Sequence, residues 1–443
     1  MIFLGYEGLT GKVITPFDPG YERARQEWNR AINEYPIAIV YCCSNEDVRN
    51  AILWSERNLV GVRIRSGGHN YEGYSTGMGK LVIDTSLMNA VEVDVEKDTV
   101  KVQAGTRLQR LYTEVYEKGY AFPGGTCPTV AISGLTLGGG IGLSSRYLGL
   151  TADSLVEAEM VDARGELLTA GMSCNPDLFW ALRGAGGGNF GVVTSYKFEL
   201  KKKVDKITLI QLEWTSRPAR LEFLSTWQDW IKNLDRRISV FGGIYKQGAY
   251  FNSFFYGEPG EAERIIRPFL DIPGISFRRI EYLPFIDAVN AIAEGYPEYE
   301  KFKDTGRFVF RYLSRSELEN IIRILDEAPT EGESYFKVYS LGGAVRDTPV
   351  NRTAFFYRNA SYIMAVSSDW KADAEAPIHK EWVAKGFAYI KDLTAGSYVN
   401  FPYNRLQDYE NAYYGLYVKT LESIKAKYDP CNVFNFSQSI RVC

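Results

Sequence analysis

The chain has 443 residues, of which 45% are hydrophobic and 24% charged, and its formal net charge is −3. That length accommodates two or more domains, each with its own core. The near balance of charge gives no long-range field for nucleic acid or an anionic membrane, and no apolar run reaches the ~18 residues that cross a bilayer.

Small-molecule chemistry is therefore expected, with no nucleic-acid and no membrane partner. The longest basic run, Lys201 to Lys203, reads as a solvated face. Six cysteines show no CxxC spacing, which points to a reducing compartment rather than a metal or redox pair. The stretch from Met1 to Glu7 has no basic segment leading into an apolar one, so a cytoplasmic location is the expectation.

In chain order, Tyr21 to Glu34 carries helix formers. Cys42 and Cys43 follow an apolar stretch and are expected to be buried thiols. Ser44 is an N-cap for a helix over Asn45 to Asn58. A strand over Val60 to Ile64 leads into the first glycine-rich loop. Val91 and Val93 alternate with acidic residues, and Val100 and Val102 resume the alternation after Glu96-Lys97-Asp98, a hairpin with one dry face. Leu155 to Asp162 is a strand, and Gly165 turns the chain back towards Leu167 and Leu168. From 204 to 395, strands such as Lys206 to Trp214 and Ala249 to Phe255 alternate with amphipathic helices such as Arg217 to Leu234 and Ser314 to Ala328. This pattern predicts an antiparallel sheet backed by helices. A last helix, Tyr409 to Tyr428, stops at Asp429-Pro430.

Three glycine-rich loops stand out. Arg65-Ser-Gly-Gly-His69-Asn70 follows a strand, and its glycines suit a structural turn as well as a loop that presents N–H groups to phosphate. One of only two histidines in the chain lies in it; the other is His379. Gly124-Gly-Thr126-Cys127-Pro-Thr-Val130 puts a cysteine on a partly exposed loop, either inert or reactive. Gly134 to Gly142 repeats glycine where a flat ligand or pyrophosphate could lie against the main chain. Gly186-Gly-Gly-Asn-Phe-Gly191 spells GxGxxG, but a helix over Pro176 to Leu182 precedes it and a strand over Val192 to Leu200 follows. The dinucleotide fingerprint needs the opposite order, so that reading is rejected. Two histidines are too few for a His-based metal site, and none is expected.

Together these residues resemble the berberine bridge enzyme-like flavoproteins, which share the FAD-binding fold of vanillyl-alcohol oxidase and p-cresol methylhydroxylase. The resemblance covers nearly the whole chain. It runs from Tyr21 to Asn29 and Pro36 to Val40, through Arg65 to His69, Gly125 to Cys127 and Gly134 to Gly142. It continues through Asn175 to Gly184 and Gly186 to Val193, and ends with Tyr398-Val-Asn400 and Lys425 to Pro430. It implies an α+β protein: a two-part PCMH-type FAD-binding domain over 1–203, a substrate-binding domain over 204–395 with an antiparallel sheet backed by helices, and a segment over 396–443 returning to the FAD domain.

The resemblance further implies FAD bound covalently twice, through His69 to the flavin 8α carbon and through Cys127 to C6. Cofactor contacts would come from Arg65, Ser66, Gly67, Gly68 and Asn70, from Thr126 and Val130, and from Gly134, Gly138, Gly139, Gly140 and Gly142. Gly191, Val193 and Asn400 complete the set. The implied activity is oxidation of a CH–OH, in a sugar or a bulky secondary-metabolite alcohol, by hydride transfer to flavin N5, with Tyr398 as the base. Molecular oxygen or another acceptor would take the electrons. Two alternatives stand beside it: oxidative C–C or C=C bond formation, as in reticuline oxidase, and ligand binding without turnover. Ser361 to Trp370 matches the strand that carries charged or amide side chains in plant relatives, yet Ile363, Ala365 and Ser367 carry no charge. That departure puts ring closure in doubt.

Overall fold

A computed structural model describes residues 5–201 and 203–442. Lys202 of the basic run and residues 1–4 of the N-terminal stretch lie outside the described residues; Lys201 and Lys203 are exposed. The first sheet contains β1 (Lys12–Ile14), β2 (Ala38–Tyr41), β3 (Val62–Arg65) and β4 (Leu81–Asp84) in the order β1-β2-β4-β3. Both neighbours of β4 run parallel to it, and all four of its residues are buried, as a strand covered on both faces requires. The helix Asn45–Arg57 packs against this sheet, capped by Ser44, whose hydroxyl accepts the Asp47 N–H at 3.1 Å.

Two expectations for this region need correction. The helix from Tyr21 stops at Ala24. Beyond it the chain is held by its neighbours instead of by its own turns: the Trp28 N–H donates to the Gly68 carbonyl, and Asn29 Nδ2 donates to the carbonyls of Tyr71 and Phe302. Tertiary partners override helix propensity here. Of the two adjacent cysteines, Cys42 is buried but Cys43 is exposed. The strand ends at Tyr41, and the Cys43 N–H turns to the Asp47 carboxylate as the next helix begins.

The second sheet contains β5 (Val91–Asp94), β6 (Thr99–Gln103), β7 (Leu155–Val161), β8 (Leu167–Gly171) and β9 (Val192–Glu199), ordered β5-β6-β9-β7-β8. Val91 pairs with Val102 and Val93 with Val100, which gives the expected hairpin. The helix Pro176–Ala181 precedes the GxGxxG loop and β9 follows it, the reverse of the strand–loop–helix order of a dinucleotide fingerprint.

The third sheet holds β10 (Lys206–Trp214), β11 (Ile238–Tyr245), β12 (Gly248–Phe255), β13 (Ile275–Pro284), β14 (Phe302–Val309), β15 (Ser334–Ser340), β16 (Tyr362–Asp369) and β17 (Ala395–Ser397). Their order is β13-β10-β12-β11-β15-β16-β14-β17, and neighbours run antiparallel. Ile210, Leu212, Val240, Phe336 and Val366 form one core with the helices Ala219–Ile231, Arg315–Asp326 and Ala376–Leu393. Strand side chains alternate between faces. The other face of this sheet therefore carries Gln211, Glu213, Tyr250, Lys337 and Ser367, all of which line a cavity. The architecture is α+β, with an antiparallel sheet backed by helices.

After β17 the chain returns to the first two sheets. The expected helix from Tyr409 is broken into Tyr409–Tyr414 and Val418–Tyr428. Gly415 between them has φ 54°, and a Cβ there would lie 2.4 Å from the Phe356 ring, so helix geometry cannot continue through it. Fully buried Lys425 then secures the segment. Its Nζ donates to the Asn189 and Phe434 carbonyls and to Asp429 Oδ2.

Candidate active site

One cavity of about 860 Å³ runs from the glycine-rich loops to the inner face of the third sheet. Ser66, Gly67, Gly68, His69 and Asn70 enter it at the end of β3. Thr126, Cys127 and Val130 enter from the facing loop, and a Cβ on Gly67 would lie 2.7 Å from the Ala131 nitrogen, so the two loops lie flush. Gly134, Gly191, Val193, Asn400 and Tyr398 complete the expected residues that reach the cavity.

Five expected contacts stand behind the wall. Arg65 is buried, with Nε on Asp84 Oδ2 at 2.5 Å and Nη1 3.5 Å from Glu27 Oε1. Burial works against its charge, and the two carboxylates outweigh that and hold the guanidinium above its ordinary pKa. It ties the histidine loop to the sheet. Gly138, Gly139, Gly140 and Gly142 also lie outside the lining. A Cβ on Gly138 would collide with the Asn400 amide, and one on Gly142 with the Gly124 carbonyl. Gly138 thus leaves room for the Asn400 amide, and the Gly140 N–H donates to Tyr398 Oη at 3.1 Å.

His69 stacks on Trp28 with ring centroids 5.0 Å apart. Its Nε2 is 2.9 Å from Thr129 Oγ1, and the same hydroxyl is 3.5 Å from Cys127 Sγ. Burial, with Arg107 adding to it, pushes the His69 pKa down to about 3, so the ring is neutral near pH 7. Burial raises the Cys127 thiol, and hydrogen bonds from Thr129 oppose that.

Tyr398 follows β17 and is 1% exposed. Its Oη accepts from the Gly140 N–H and from Asn400 Nδ2, each at 3.1 Å. Burial pushes its pKa up to about 12, against the pull of those donors. The groups that oppose burial are the Gly140 and Ile141 N–H groups and the Asn400 amide. Phe401 packs edge-on to Tyr398 at 5.0 Å and face-to-face on Tyr71 at 5.3 Å.

Several residues of this cavity gave no sequence signal. Trp28 sits in the stretch read as a helix. Thr129 carries an ordinary hydroxyl two residues beyond Cys127. Asp304 on β14 and Lys337 on β15 meet across Ser367, with Lys337 Nζ 3.0 Å from Asp304 Oδ2 and 2.9 Å from Ser367 Oγ. The period-2 alternation of Tyr335, Lys337 and Tyr339 was available as a signal, but it does not tell a face turned to water from one turned to a ligand. On β16, Ser367 and Asp369 face the cavity, whereas Tyr362 points to the helices and packs on Trp227.

The residues present fit FAD. Trp28 Nε1 and Tyr74 Oη are buried without a hydrogen-bond partner in residues that line the cavity. The volume lies in the range of ligand sites, and Arg63 and the Gly186–Gly188 backbone line it away from the third sheet. Among the described residues no His, Cys, Asp and Glu group could hold a metal ion, and no helix is long and apolar enough to cross a membrane.

Comparison with known proteins agrees. Residues 36–171 match the FAD binding domain family, and residues 397–441 match the berberine and berberine-like family. The uncharacterized FAD-linked oxidoreductase YgaK of Bacillus subtilis is 35% identical over 98% of this chain and 97% of its own. The structure of BBE-like 1 from Physcomitrella patens superposes with a TM-score of 0.93 at 28% identity, covering 98% of both chains. Glucooligosaccharide oxidase from Acremonium strictum shares the fold, with a TM-score of 0.90 at 24% identity over 98% of this chain and 97% of that one. The chain belongs to the berberine bridge enzyme-like family of FAD-linked oxidoreductases.

Proposed function

We propose that the protein oxidises a CH–OH group of a sugar or bulky alcohol, with FAD attached through both His69 and Cys127. The observation that carries this reading is the convergence of His69, Cys127 and Tyr398 on one cavity, with a single hydroxyl, Thr129, touching both attachment residues. The glucooligosaccharide oxidase of Acremonium strictum carries a 6-S-cysteinyl, 8α-N1-histidyl FAD, which supports the same pair here. With Nε2 of His69 engaged by Thr129, Nδ1 is the nitrogen left to hold the 8α carbon, and a neutral ring keeps its lone pair available. Cys127 Sγ would hold C6.

FAD supplies the hydride acceptor, at N5. Tyr398 takes the proton of the substrate hydroxyl at Oη. The Gly140 N–H and the Asn400 amide already point at that oxygen, so both stabilise the deprotonated phenolate that accepts the proton. Phe401 and Tyr71 form an apolar wall that keeps water from the same oxygen. Gly138 leaves the room that the Asn400 amide occupies, so it helps place one of the donors to Tyr398 Oη.

Anaerobic mixing with alcohols and reducing sugars tests this function. The visible flavin absorbance should bleach with a CH–OH donor; rapid restoration by readmitted oxygen with one hydrogen peroxide per flavin marks an oxidase, and restoration only by an added electron acceptor marks a dehydrogenase. A flavin that no alcohol or hemiacetal reduces would contradict the proposal.

A further inference from the structure

We infer that the substrate is a polyhydroxylated molecule carrying a protonated amine; this rests on the CH–OH oxidation proposed above and narrows it. The substrate side of the cavity is the inner face of the third sheet, and its charge is one-sided. Glu213, Glu300, Asp304, Glu333 and Asp369 line it, against Lys337 as the cation among the described residues there. That is five carboxylates to one ammonium, and the ammonium is already bound to Asp304 and Ser367. Glu213, Glu300, Glu333 and Asp369 have no ion-pair partner among the described residues; Glu213 accepts a hydrogen bond from Tyr245, and Asp369 one from the Glu333 N–H. Burial raises the pKa of Glu333, with the Asp369 carboxylate adding to it, and burial also raises that of Asp369 against the pull of the Glu333 N–H and Lys337. For Glu300, burial, opposed by Lys337 and reinforced by Asp369 and Asp304, brings the pKa to about 7.

An independent feature points the same way. Asp304 is 3% exposed, and its Oδ1 has no partner although its Oδ2 holds Lys337. A buried carboxylate oxygen without a donor is costly, and a bound ammonium or hydroxyl would satisfy it.

The surrounding side chains define the rest of the ligand. Tyr250 and Tyr335 stand edge to face at 6.1 Å, offering ring faces that attract a cation and flat apolar surfaces for a sugar ring. Gln211 and Asn252 pair across β10 and β12, with Nε2 to Oδ1 at 3.2 Å, and suit hydroxyl recognition. A neutral oligosaccharide leaves the excess of negative charge uncompensated, and an anionic one is repelled.

Three β-1,4-linked trimers of identical backbone test this directly: cellotriose, triacetylchitotriose and the fully deacetylated glucosamine trimer, which differ only in the hydroxyl, acetamide or ammonium at C2. With the flavin-loaded enzyme, kcat/KM from flavin reduction should be at least about tenfold higher for the ammonium trimer. That advantage should shrink at high salt and in Glu300→Gln and Asp369→Asn. Equal or lower efficiency for the ammonium trimer overturns the inference, as does an advantage that neither salt nor either substitution alters. Turnover of none of the three also overturns it, whereas the CH–OH reading falls only if no alcohol or hemiacetal at all reduces the flavin.

Discussion

Replacing Tyr398 by Phe removes one oxygen atom and leaves the ring to pack against Phe308, Phe355 and Phe401. The Gly140 N–H and the Asn400 amide each lose an acceptor, a cost of about 1–3 kcal/mol that a chain of this size tolerates. The effect on rate is larger. With the phenol pushed up to about 12, roughly one Tyr398 in 10⁵ is ionised near pH 7, a gap of about 7 kcal/mol. The competent form is the deprotonated one, so its share grows with pH. Flavin reduction in the parent should therefore accelerate about tenfold per pH unit between about pH 7 and about pH 10, without a plateau. In Tyr398→Phe the rate should fall by about 10²–10⁴ at the upper end of that range and become nearly independent of pH. Anaerobic stopped-flow reduction across that range gives both quantities. A parent rate that is flat with pH, or a Phe variant that keeps both the slope and the rate, would refute Tyr398 as the base.

Asn400→Leu removes one of the donors to Tyr398 Oη while leaving the phenol in place. Its pH slope should persist, with rates about 10–100-fold lower at each pH; an unchanged rate would dismiss the amide as a stabiliser of the phenolate. Thr129→Val takes from His69 Nε2 its hydrogen-bond partner, and peptide mass analysis should show less flavin on His69, restored in Thr129→Ser. Equal loading in the Val variant would show that the hydroxyl is not needed. Lys425→Met strands the buried Asp429 and two carbonyls, and should lower unfolding stability by about 3–5 kcal/mol in a denaturant titration; a loss below about 1 kcal/mol would mean that the segment is held by other contacts.

Local rules carried much of the fold. Ser44 before a helical pattern, the alternation across Val91 to Val102 and the order of helix, glycines and strand around Gly186 each depend on nearby residues, and each appears as expected. Failures came where a distant partner decides. Glu27, Trp28 and Asn29 have helix-compatible identities, yet they are drawn to Arg65, Gly68 and Phe302. Gly415 interrupts the helix at φ 54°, and no side chain fits there because Phe356, some sixty residues earlier in the chain, occupies the space a Cβ would need. In the cavity, loop residues marked by unusual chemistry, such as His69 and Cys127, were legible one by one. Glycines were less so: in the run from Gly138 to Gly142, Gly138 lies against the Asn400 amide, Gly139 against Phe355, Gly140 against Thr151 and Gly142 against the Gly124 carbonyl, neighbours that no local pattern announces. The carboxylates of the third sheet were silent because strands β10, β14, β15 and β16 place them together only through long-range pairing.

The double attachment of FAD is the claim on which the rest of the account depends, and peptide mass analysis of acid-precipitated protein addresses it most directly. The pellet should stay yellow, with one flavin joining the His69 and Cys127 peptides. His69→Ala and Cys127→Ala should each retain one link, and the double variant none. Release of free flavin into the supernatant from the parent protein would contradict the attachment of FAD at these two residues.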